Sequence, residues 1–433
     1  MGGAVRHERA ARTGGTNDGD EQRGAVMGQD TQDRVAVITG NEAAATAAKL
    51  SRVQVIAAYP ITPQSPVVES LSAWVENGEL PAEFVAVESE HSALTVCIGA
   101  STVGARAFTA TSANGLAYMT EQVWWAAGAR LPIVMCVANR AMAAPWNVLN
   151  DQQDSMSVRD AGWIQLYCRN NQEILDTTVQ AYRIAERLHL PVMVCYDGFL
   201  LSHTVMPVDI PTAETVDEFL PPFTDPLTVV DVADPRNIGQ VVMAEPRADA
   251  EGTLRHGYME IRALHNQALL DALTVIPEVD AEWAEHTRRE WGGLTWEYLL
   301  DDADLVLVAA GSLATQLTVA AEELRAQGVR AGVLGIRAYR PFPAETLVDK
   351  LAGRRLSLVF DKALSYGFGG PIYNDVRASL LGGEDTPTVF SAICGLGGRD
   401  VSPGDLEAAA LRAVHDFEDG VRDRAADWLN LAL

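Results

Sequence analysis

The stretch GARAFTATSANGLAYMTEQVWWAAGARLPIVMCVANR (residues 104–140) contains a strand, a helix and a second strand in close succession. ARAFTAT and PIVMCVAN are apolar runs of strand length, and the segment between them, which starts at Ser112, has the length of a helix. Strands that are apolar on both faces are typical of a parallel sheet covered by helices on each side. The stretch therefore predicts an α/β protein.

The same alternation extends in both directions along the chain. Short apolar strands alternate with amphipathic helices from Arg34 onward, and a second block of this kind begins near Asp304. Between the blocks, residues 205–240 are dense in Pro, Asp and Thr and predict a long connection. Residues 254–295 look helical and charged. The sequence therefore predicts two open α/β domains joined by a connecting segment.

Composition and charge exclude several classes of protein. The chain has 433 residues, of which 48% are hydrophobic and 21% charged, as expected of a globular protein. Its 33 basic and 58 acidic residues give a formal net charge of -25, which repels phosphate backbones and argues against nucleic acid as a partner. No charge-free apolar run of about 18 residues occurs, so no membrane span is expected. Residues 1–32 have no hydrophobic period, and we expect a disordered tail, no secretory signal and a cytoplasmic protein.

The sequence does not predict a metal centre in this chain. The five cysteines are far apart, with neither a CxxC pair nor a four-cysteine cluster, and the eight histidines form no HExxH motif. We therefore expect the chain itself to hold neither zinc nor an iron–sulfur centre.

A threonine lies where the second predicted strand meets a helix. In AYPITPQSP (residues 58–66), Pro60 and Pro63 stiffen the turn around Thr62. Ligands of open α/β sheets bind at the carboxyl ends of strands, so the Thr62 hydroxyl could contact one. Capping of the following helix is the alternative, and it explains Thr62 taken alone better than ligand binding does.

An acidic pair follows the third predicted strand. In VESEHSA (residues 87–93), Glu90 opens a helix that carries small residues further along. A carboxylate in such a closely packed strand-to-helix turn could share a proton with a ligand nitrogen. Capping of the helix by Glu88, Ser89 or Glu90 is an equally good explanation.

Two further strand ends carry polar residues. Ser112, Asn114 and Gly115 form a strand-to-helix loop whose backbone N–H groups could cradle a polar ligand. Arg140 follows the apolar strand PIVMCVA and is a candidate to bind a carboxylate through two parallel hydrogen bonds. A structural ion pair with Asp151, Asp154 or Asp160 is the alternative for Arg140, and neither interpretation prevails from one sequence.

Glycine-rich turns follow two strands of the second block. They are LSYGFGGPIY (residues 364–373) and AICGLGGRDV (residues 392–401). Neither matches GxGxxG with its downstream acid or the GxxxxGK[ST] loop, so NAD and simple ATP binding are disfavoured.

Eight blocks of the sequence occur together and in order: AYPITPQSP, VESEHSA, GARAFTATSANGL, LPIVMCVANRAMAAP, DSMSVRDAGWIQLY, PVMVCYDGFLLSHT, GFGGPIY and GLGGRDV. This combination closely resembles the alpha subunit of the 2-oxoacid:ferredoxin oxidoreductases of the pyruvate:ferredoxin oxidoreductase type. The resemblance covers roughly residues 35–415. It implies a pyrimidine-binding, parallel-sheet domain of a thiamine diphosphate enzyme over residues 33–230, a connecting segment over 231–300 and a transketolase C-terminal-like α/β domain, with a C-terminal helix, over 301–433.

The resemblance also implies roles for single residues. Glu90 falls where the family places the glutamate that contacts the pyrimidine ring of thiamine diphosphate and activates the cofactor. Thr62 falls on a substrate-contacting threonine, and Arg140 on the arginine that holds the substrate carboxylate. Pro60 and the loop Ser112–Gly115 would line the cofactor.

Absent motifs imply partners of this chain. Thiamine diphosphate enzymes of this type bind Mg2+ and the diphosphate through a GDG motif with downstream asparagines, and this chain has no such motif in the right context. The resemblance therefore implies a beta subunit that brings this site and a [4Fe-4S] cluster, possible gamma and ferredoxin-like delta subunits, and ferredoxin as acceptor. The reaction implied converts a 2-oxoacid, pyruvate as the first choice, and coenzyme A to acyl-CoA and CO2.

One loop departs from the family pattern. Where family members read Gly-Asp-His, this chain has Asn150, Asp151 and Gln152, followed by Gln153. Because we expect this loop near the substrate, the change leaves open which oxoacid is used and whether coenzyme A takes part. A non-oxidative thiamine-dependent decarboxylase or ligase subunit and a catalytically silent scaffold are the alternatives.

Overall fold

The computed structural model describes residues 34–224, 244–248, 252 and 254–432. The predicted tail, residues 1–32, and the later part of the predicted connection, residues 225–240, lie outside the described residues. No helix in the described ranges is long and apolar enough to cross a membrane.

The first half of the described chain alternates strands and helices. Its strands are β1 (Arg34–Thr39), β2 (Val55–Ala58), β3 (Glu83–Ala86), β4 (Ala107–Thr111), β5 (Val134–Asn139), β6 (Ile164–Tyr167), β7 (Val192–Asp197) and β8 (Val205–Ile210). Its helices are α1 (Gly40–Leu50), α2 (Ser65–Glu76), α3 (Glu90–Thr102), α4 (Ala113–Tyr118), α5 (Thr120–Gly128), α6 (Gln153–Ser157), α7 (Asn171–Leu188) and α8 (Ala213–Phe219).

The second half contains a short β-hairpin, a long helix and a second run of alternating strands and helices. The strands are β9 (Arg247–Ala248), β10 (Leu254–Arg255), β11 (Thr295–Tyr298), β12 (Leu305–Ala310), β13 (Ala331–Ile336), β14 (Ala338–Arg340), β15 (Leu356–Asp361), β16 (Thr388–Ile393) and β17 (Asp427–Trp428). The helices are α9 (Tyr258–Thr287), α10 (Ser312–Ala326), α11 (Ala344–Leu351), α12 (Pro371–Ser379) and α13 (Pro403–Glu418), with a short 3-10 turn at Leu396–Gly398.

Two largely parallel sheets organise these elements. The larger has the order β14-β6-β7-β5-β4-β2-β3, and every pairing in it is parallel except that of β14 with β6. The smaller has the order β11-β13-β12-β15-β16-β17, with β11 antiparallel to β13. The central strands β5 and β7 are buried along their whole length, as expected for a sheet covered on both faces. The predicted α/β class is confirmed.

Three local expectations were wrong. The alternation predicts that β1 belongs to the parallel sheet, but it pairs antiparallel with β8 in a separate two-stranded sheet. The start of the predicted connection, MPVDI, is not a loop: it forms most of β8, the strand that pairs with β1. The single helix expected after Ser112 is two helices, α4 and α5, which meet at Met119.

One apolar core links the two sheets. Residues of α3 and α5, among them Leu94 and Val123, share a cluster with Val306 and Val359 of the second sheet. The opposite face of the second sheet packs against α10 and α13 in a core of its own. The two halves therefore meet on a buried apolar surface, and that contact fixes the loops at its rim relative to one another.

Candidate active site

The carboxyl ends of four neighbouring strands carry the residues predicted to bind the cofactor and the substrate, apart from the loop Asn150–Gln153. β5, β4, β2 and β3 lie side by side and point the same way, so the segments that follow them meet at one edge of the larger sheet. Thr62 follows β2, Glu90 follows β3, the loop Ser112–Gly115 follows β4 and Arg140 follows β5.

Glu90 is the first residue of α3, and its side chain is buried, with 8% of its surface exposed. The neighbouring Ser89 caps the helix by accepting a hydrogen bond from the Ser92 N–H, at 3.2 Å. Capping is therefore done by Ser89, and the Glu90 carboxylate makes no hydrogen bond to any other described residue. A buried carboxylate in this state is costly unless a ligand pairs with it.

Gly115 allows the Glu90 side chain to lie against the β4–α4 turn. A Cβ atom on Gly115 would come within 2.7 Å of the Glu90 Oε1 and the Thr111 Oγ1 atoms. The Thr111 hydroxyl is buried and without a hydrogen-bond partner among the described residues. A side chain at position 115 would therefore collide with the Glu90 carboxylate. The Glu90 carboxylate and the Thr111 hydroxyl lie together at this turn, and neither has a hydrogen-bond partner among the described residues.

Ser112 and Asn114 shape the same turn through their side chains. The Ser112 hydroxyl donates to the Ala138 carbonyl at 2.7 Å, and the Asn114 Oδ1 atom accepts from the Ala143 N–H at 2.9 Å. Ser112 therefore ties the β4–α4 loop to the end of β5, and Asn114 ties it to the segment after β5, so the backbone of the turn is held in a fixed position.

Arg140 is buried, with 4% of its surface exposed. Its Nη1 atom donates to the Thr62 carbonyl at 2.7 Å, whereas Nε is buried without a partner among the described residues. Burial lowers the pKa of Arg140, and the charges of Asp154 and Glu90 act in the opposite direction. Because its guanidinium forms no ion pair with any described residue, the proposed structural pair with Asp151, Asp154 or Asp160 is not formed by the side chain.

Thr62 and Pro60 lie on the exposed side of this edge. Thr62 does not cap α2, because the residue before that helix is Gln64 and it makes no side-chain capping bond. The Asn41 amide fixes the turn by donating to the Pro63 carbonyl at 2.7 Å. The Thr62 side chain is therefore free of the capping role that the sequence left open.

The loop from Asn150 to Gln153 contacts the second sheet. The Asp151 Oδ2 atom accepts from the Gly397 N–H at 3.0 Å, the Asn150 carbonyl accepts from the Gly398 N–H at 2.7 Å, and the Gln152 N–H donates to the Lys362 carbonyl at 2.9 Å. Burial raises the pKa of Asp151, although its two backbone hydrogen bonds and Lys362 oppose the shift. These bonds fix the loop to the second half of the chain.

A buried ion pair lies beside that loop and was missed at the sequence level. The Lys362 Nζ atom is 2.9 Å from the Asp197 Oδ1 atom, and the Ser312 hydroxyl donates to the same carboxylate. Burial favours the neutral form of Asp197, but Lys362 and the hydrogen bonds outweigh it and hold the pKa below its usual value. An aspartate that ends an apolar strand, PVMVCYD, was the available signal, since an acid there needs a partner.

A cavity of about 610 Å³ lies at the opposite edge of the sheet, next to Gln54 and Arg106. Its arginines are engaged: Arg106 pairs with Glu186 at 2.6 Å, and Arg52 pairs with Asp217. The amino ends of β2 and β4 form its wall. The unpaired Thr111 hydroxyl and Arg140 Nε lie instead at the carboxyl edge, beside Glu90, and there we locate the candidate active site.

The family comparison assigns this α/β fold to the thiamine diphosphate-binding class. The thiamine diphosphate-binding family model of pyruvate flavodoxin/ferredoxin oxidoreductase matches residues 46–280, and the model of pyruvate:ferredoxin oxidoreductase core domain II matches residues 303–406. The chain belongs to the 2-oxoacid:ferredoxin oxidoreductase family, as an alpha subunit. The resemblance inferred from the sequence is confirmed.

Similar proteins include subunits that act on different oxoacids. Pyruvate synthase subunit PorA of Methanocaldococcus jannaschii is 48% identical over 93% of this chain and 99% of its own length. Ketoisovalerate oxidoreductase subunit VorA of Pyrococcus abyssi is 42% identical over 91% of this chain and 97% of its own.

Two solved structures share the fold. The first is a 2-oxoglutarate:ferredoxin oxidoreductase from Magnetococcus marinus, with a TM-score of 0.66 and 19% identity over 88% of this chain and 65% of that chain, slightly less than two thirds of its length. The second is an inactive beta4 tetramer of a split gene transketolase, with a TM-score of 0.51 and 14% identity over 88% of this chain and 99% of the other. At these identities the likeness concerns the fold alone.

Proposed function

We propose that this alpha subunit contributes half of a thiamine diphosphate site to a complex that oxidises a 2-oxoacid, pyruvate as first choice, with coenzyme A to acyl-CoA and CO2. The observation that carries the proposal is the buried Glu90 carboxylate, which faces the glycine turn at Gly115 and has no hydrogen-bond partner among the described residues. Such a group fits a ligand nitrogen that can share a proton with it.

The donor set at the carboxyl edge fits the cofactor and the substrate. Glu90 would meet the pyrimidine ring, and Pro60, Ser112, Asn114 and Gly115 would line it. When bound, thiamine diphosphate supplies a carbon nucleophile and an electron sink for decarboxylation. Arg140 would bind the substrate carboxylate through its unused N–H groups, with Thr62 beside it. The loop Asn150–Gln152 would border the substrate.

The domain organisation and partners are proposed with it. Residues 33–230 would form the pyrimidine-binding domain, residues 231–300 the connection and residues 301–433 the transketolase C-terminal-like domain. A beta subunit would hold Mg2+, the diphosphate and a [4Fe-4S] cluster, with possible gamma and delta subunits and with ferredoxin as electron acceptor. The names of the similar proteins, which are subunits, support an assembly of this kind.

The test is an assay of the complex purified from its host through a tag on this chain. Viologen dye reduction is followed with pyruvate, branched-chain, aryl and 2-oxoglutarate substrates, with and without coenzyme A. Reduction that requires both an oxoacid and coenzyme A supports the proposal and names the substrate. Release of CO2 without dye reduction would favour the non-oxidative alternative, and no reaction with any oxoacid would favour a scaffold.

A further inference from the structure

Asp154 is a fully buried carboxylate between the ends of β4 and β5, two of the four strands that carry the site. Its Oδ2 atom accepts from the Ala113 N–H at 2.8 Å and from the Arg140 N–H at 3.0 Å. Its Oδ1 atom accepts from the Asn139 side-chain amide at 2.7 Å and from the Ser155 N–H at 2.8 Å. One side chain on α6 therefore binds the segments that follow both β4 and β5.

These bonds begin where the strand pairing ends. The parallel pairing of β4 with β5 extends to Thr111 and Val137, and Ala113 and Arg140 lie beyond it. Backbone N–H groups that are buried beyond a ladder need another acceptor. Asp154 supplies that acceptor to both strands at once, so it sets the distance between the turn at Ala113 and the backbone of Arg140.

We propose that Asp154 is a positioning residue that fixes Arg140 for binding of the substrate carboxylate. This inference rests on the proposed function, because it assumes that Arg140 binds the substrate. Asp154 bonds to the backbone of Arg140 and leaves the guanidinium for the ligand. Its charge also favours the protonated, cationic form of Arg140, which burial opposes. Asp154 itself does not touch the substrate.

A matched control exists elsewhere in the chain. Asp280 is also buried, with 1% of its surface exposed. Its Oδ2 atom accepts from the N–H groups of Trp291 and Gly293, both at 2.9 Å, and its Oδ1 atom accepts from the Gln180 amide at 3.0 Å. Asp280→Asn and Asp154→Asn therefore remove the same chemistry, but only Asp154 is bonded to a residue of the candidate active site.

The test compares the two variants in the purified complex. We expect Asp154→Asn to raise the KM for the oxoacid at least fivefold, with kcat and the KM for coenzyme A within about twofold of the unchanged complex, since lost hydrogen bonds to a charged group are worth that much. Amide hydrogen exchange at Ala113 and Arg140 should also become faster. Asp280→Asn should leave both KM values unchanged and should speed exchange at Trp291 and Gly293 instead.

Three results would decide against the inference: an unchanged oxoacid KM in Asp154→Asn, an equal change in Asp280→Asn, or unchanged amide exchange at Arg140. If Asp154→Asn does not assemble, the milder Asn139→Ala decides, because it removes one of the four bonds to the carboxylate. It should raise the oxoacid KM by at least about twofold, and an unchanged KM would overturn the inference. Inactivity of the unsubstituted complex with every oxoacid would refute the proposed function. The exchange measurement would still test whether Asp154 holds the backbone at Ala113 and Arg140.

Discussion

Two buried arginines of this chain have opposite surroundings. Arg337, with 1% of its surface exposed, donates to Glu173 at 3.2 Å, to the Gly293 carbonyl at 2.9 Å, to Thr177 at 3.0 Å and to Gln180 at 2.7 Å. Arg140, nearly as buried, donates from its side chain to a single carbonyl and keeps Nε unpaired.

The difference separates an arginine with a structural role, Arg337, from one that can bind a ligand, Arg140. Arg337 ties β13 and β14 to α7 and to the turn after α9, and its bonds are complete within the protein. Burial of a guanidinium is expensive, so an arginine that keeps free donors indicates a ligand that completes them. The same contrast holds for two carboxylates: Glu173 bonds to Arg337 and Arg169, whereas Glu90 has no such partner among the described residues.

The largest effect is expected in the structural cluster. Glu173→Gln leaves the buried Arg337 without its counter-charge, and we expect the free energy of unfolding to fall by about 3–5 kcal/mol. Thermal and denaturant unfolding of the complex measure this loss. An unchanged melting temperature would show that Arg337 does not depend on Glu173 and would weaken the contrast with Arg140.

In contrast to Glu173→Gln, the substitution Glu90→Gln should reduce turnover and leave stability unchanged. Turnover is expected to fall by at least about two orders of magnitude, the scale of lost acid–base catalysis, with an unchanged melting temperature, because no protein bond is broken. Viologen reduction and thermal unfolding of the same preparation measure both quantities. Full turnover in this variant would contradict the catalytic role and favour a scaffold.

Asp361 adds a buried carboxyl that has two backbone donors and no ion-pair partner among the described residues. It accepts from the Ile372 N–H at 2.8 Å and from the Tyr373 N–H at 3.1 Å, and burial raises its pKa to about 7. A raised pKa in the folded state contributes stability that is complete below the unfolded-state pKa of about 4 and is lost as pH rises through about 7.

The expected result is therefore a loss of about 2 kcal/mol between pH 5.5 and pH 8 that Asp361→Asn does not share. Melting temperatures of the complex at the two pH values, for the unchanged chain and the variant, measure it. The comparison is the difference between the two pH dependences, because other carboxyls titrate equally in both proteins. Parallel pH dependences would mean that Asp361 is charged throughout this range.

The smallest expected effect is that of Thr111→Val, which we compare with Thr177→Val at a second fully buried threonine. Thr177→Val removes an acceptor of Arg337 and should reduce the free energy of unfolding by about 1–3 kcal/mol. Thr111→Val should change it by less than about 0.5 kcal/mol, since the Thr111 hydroxyl has no partner to lose among the described residues. Denaturant unfolding of the two variants side by side gives the comparison, and equal losses would contradict the absence of a hydrogen-bond partner for the Thr111 hydroxyl.

The sequence predicted the α/β class and placed Thr62, Glu90 and Arg140 each at the end of a strand. The strand order then brings them to one edge, because parallel strands end on the same side of a sheet. The antiparallel pair β1–β8 and the three-residue strand β14 were not predicted, since each depends on a partner far away in the chain.

The bonding around the site could not be predicted from local pattern. Asp154 was considered only as an ion-pair partner of Arg140, and the structure bonds it to the Arg140 backbone instead. The contacts of Asp151 with Gly397 and of Asp197 with Lys362 join residues more than 160 positions apart. Such contacts follow from the packing of the two sheets, which periodicity along the chain does not encode.

The strand β14 determines when, during translation, the larger sheet can be completed. It covers the edge of the larger sheet by pairing with β6, although it is translated long after that strand. At typical synthesis rates of about 5–20 residues per second, the edge of β6 waits roughly 10–30 seconds for its partner. During that time an exposed strand edge can pair with another chain. The larger sheet is therefore complete only after translation has passed Arg340, and a shortened chain that ends before Ala338 would keep this strand edge exposed.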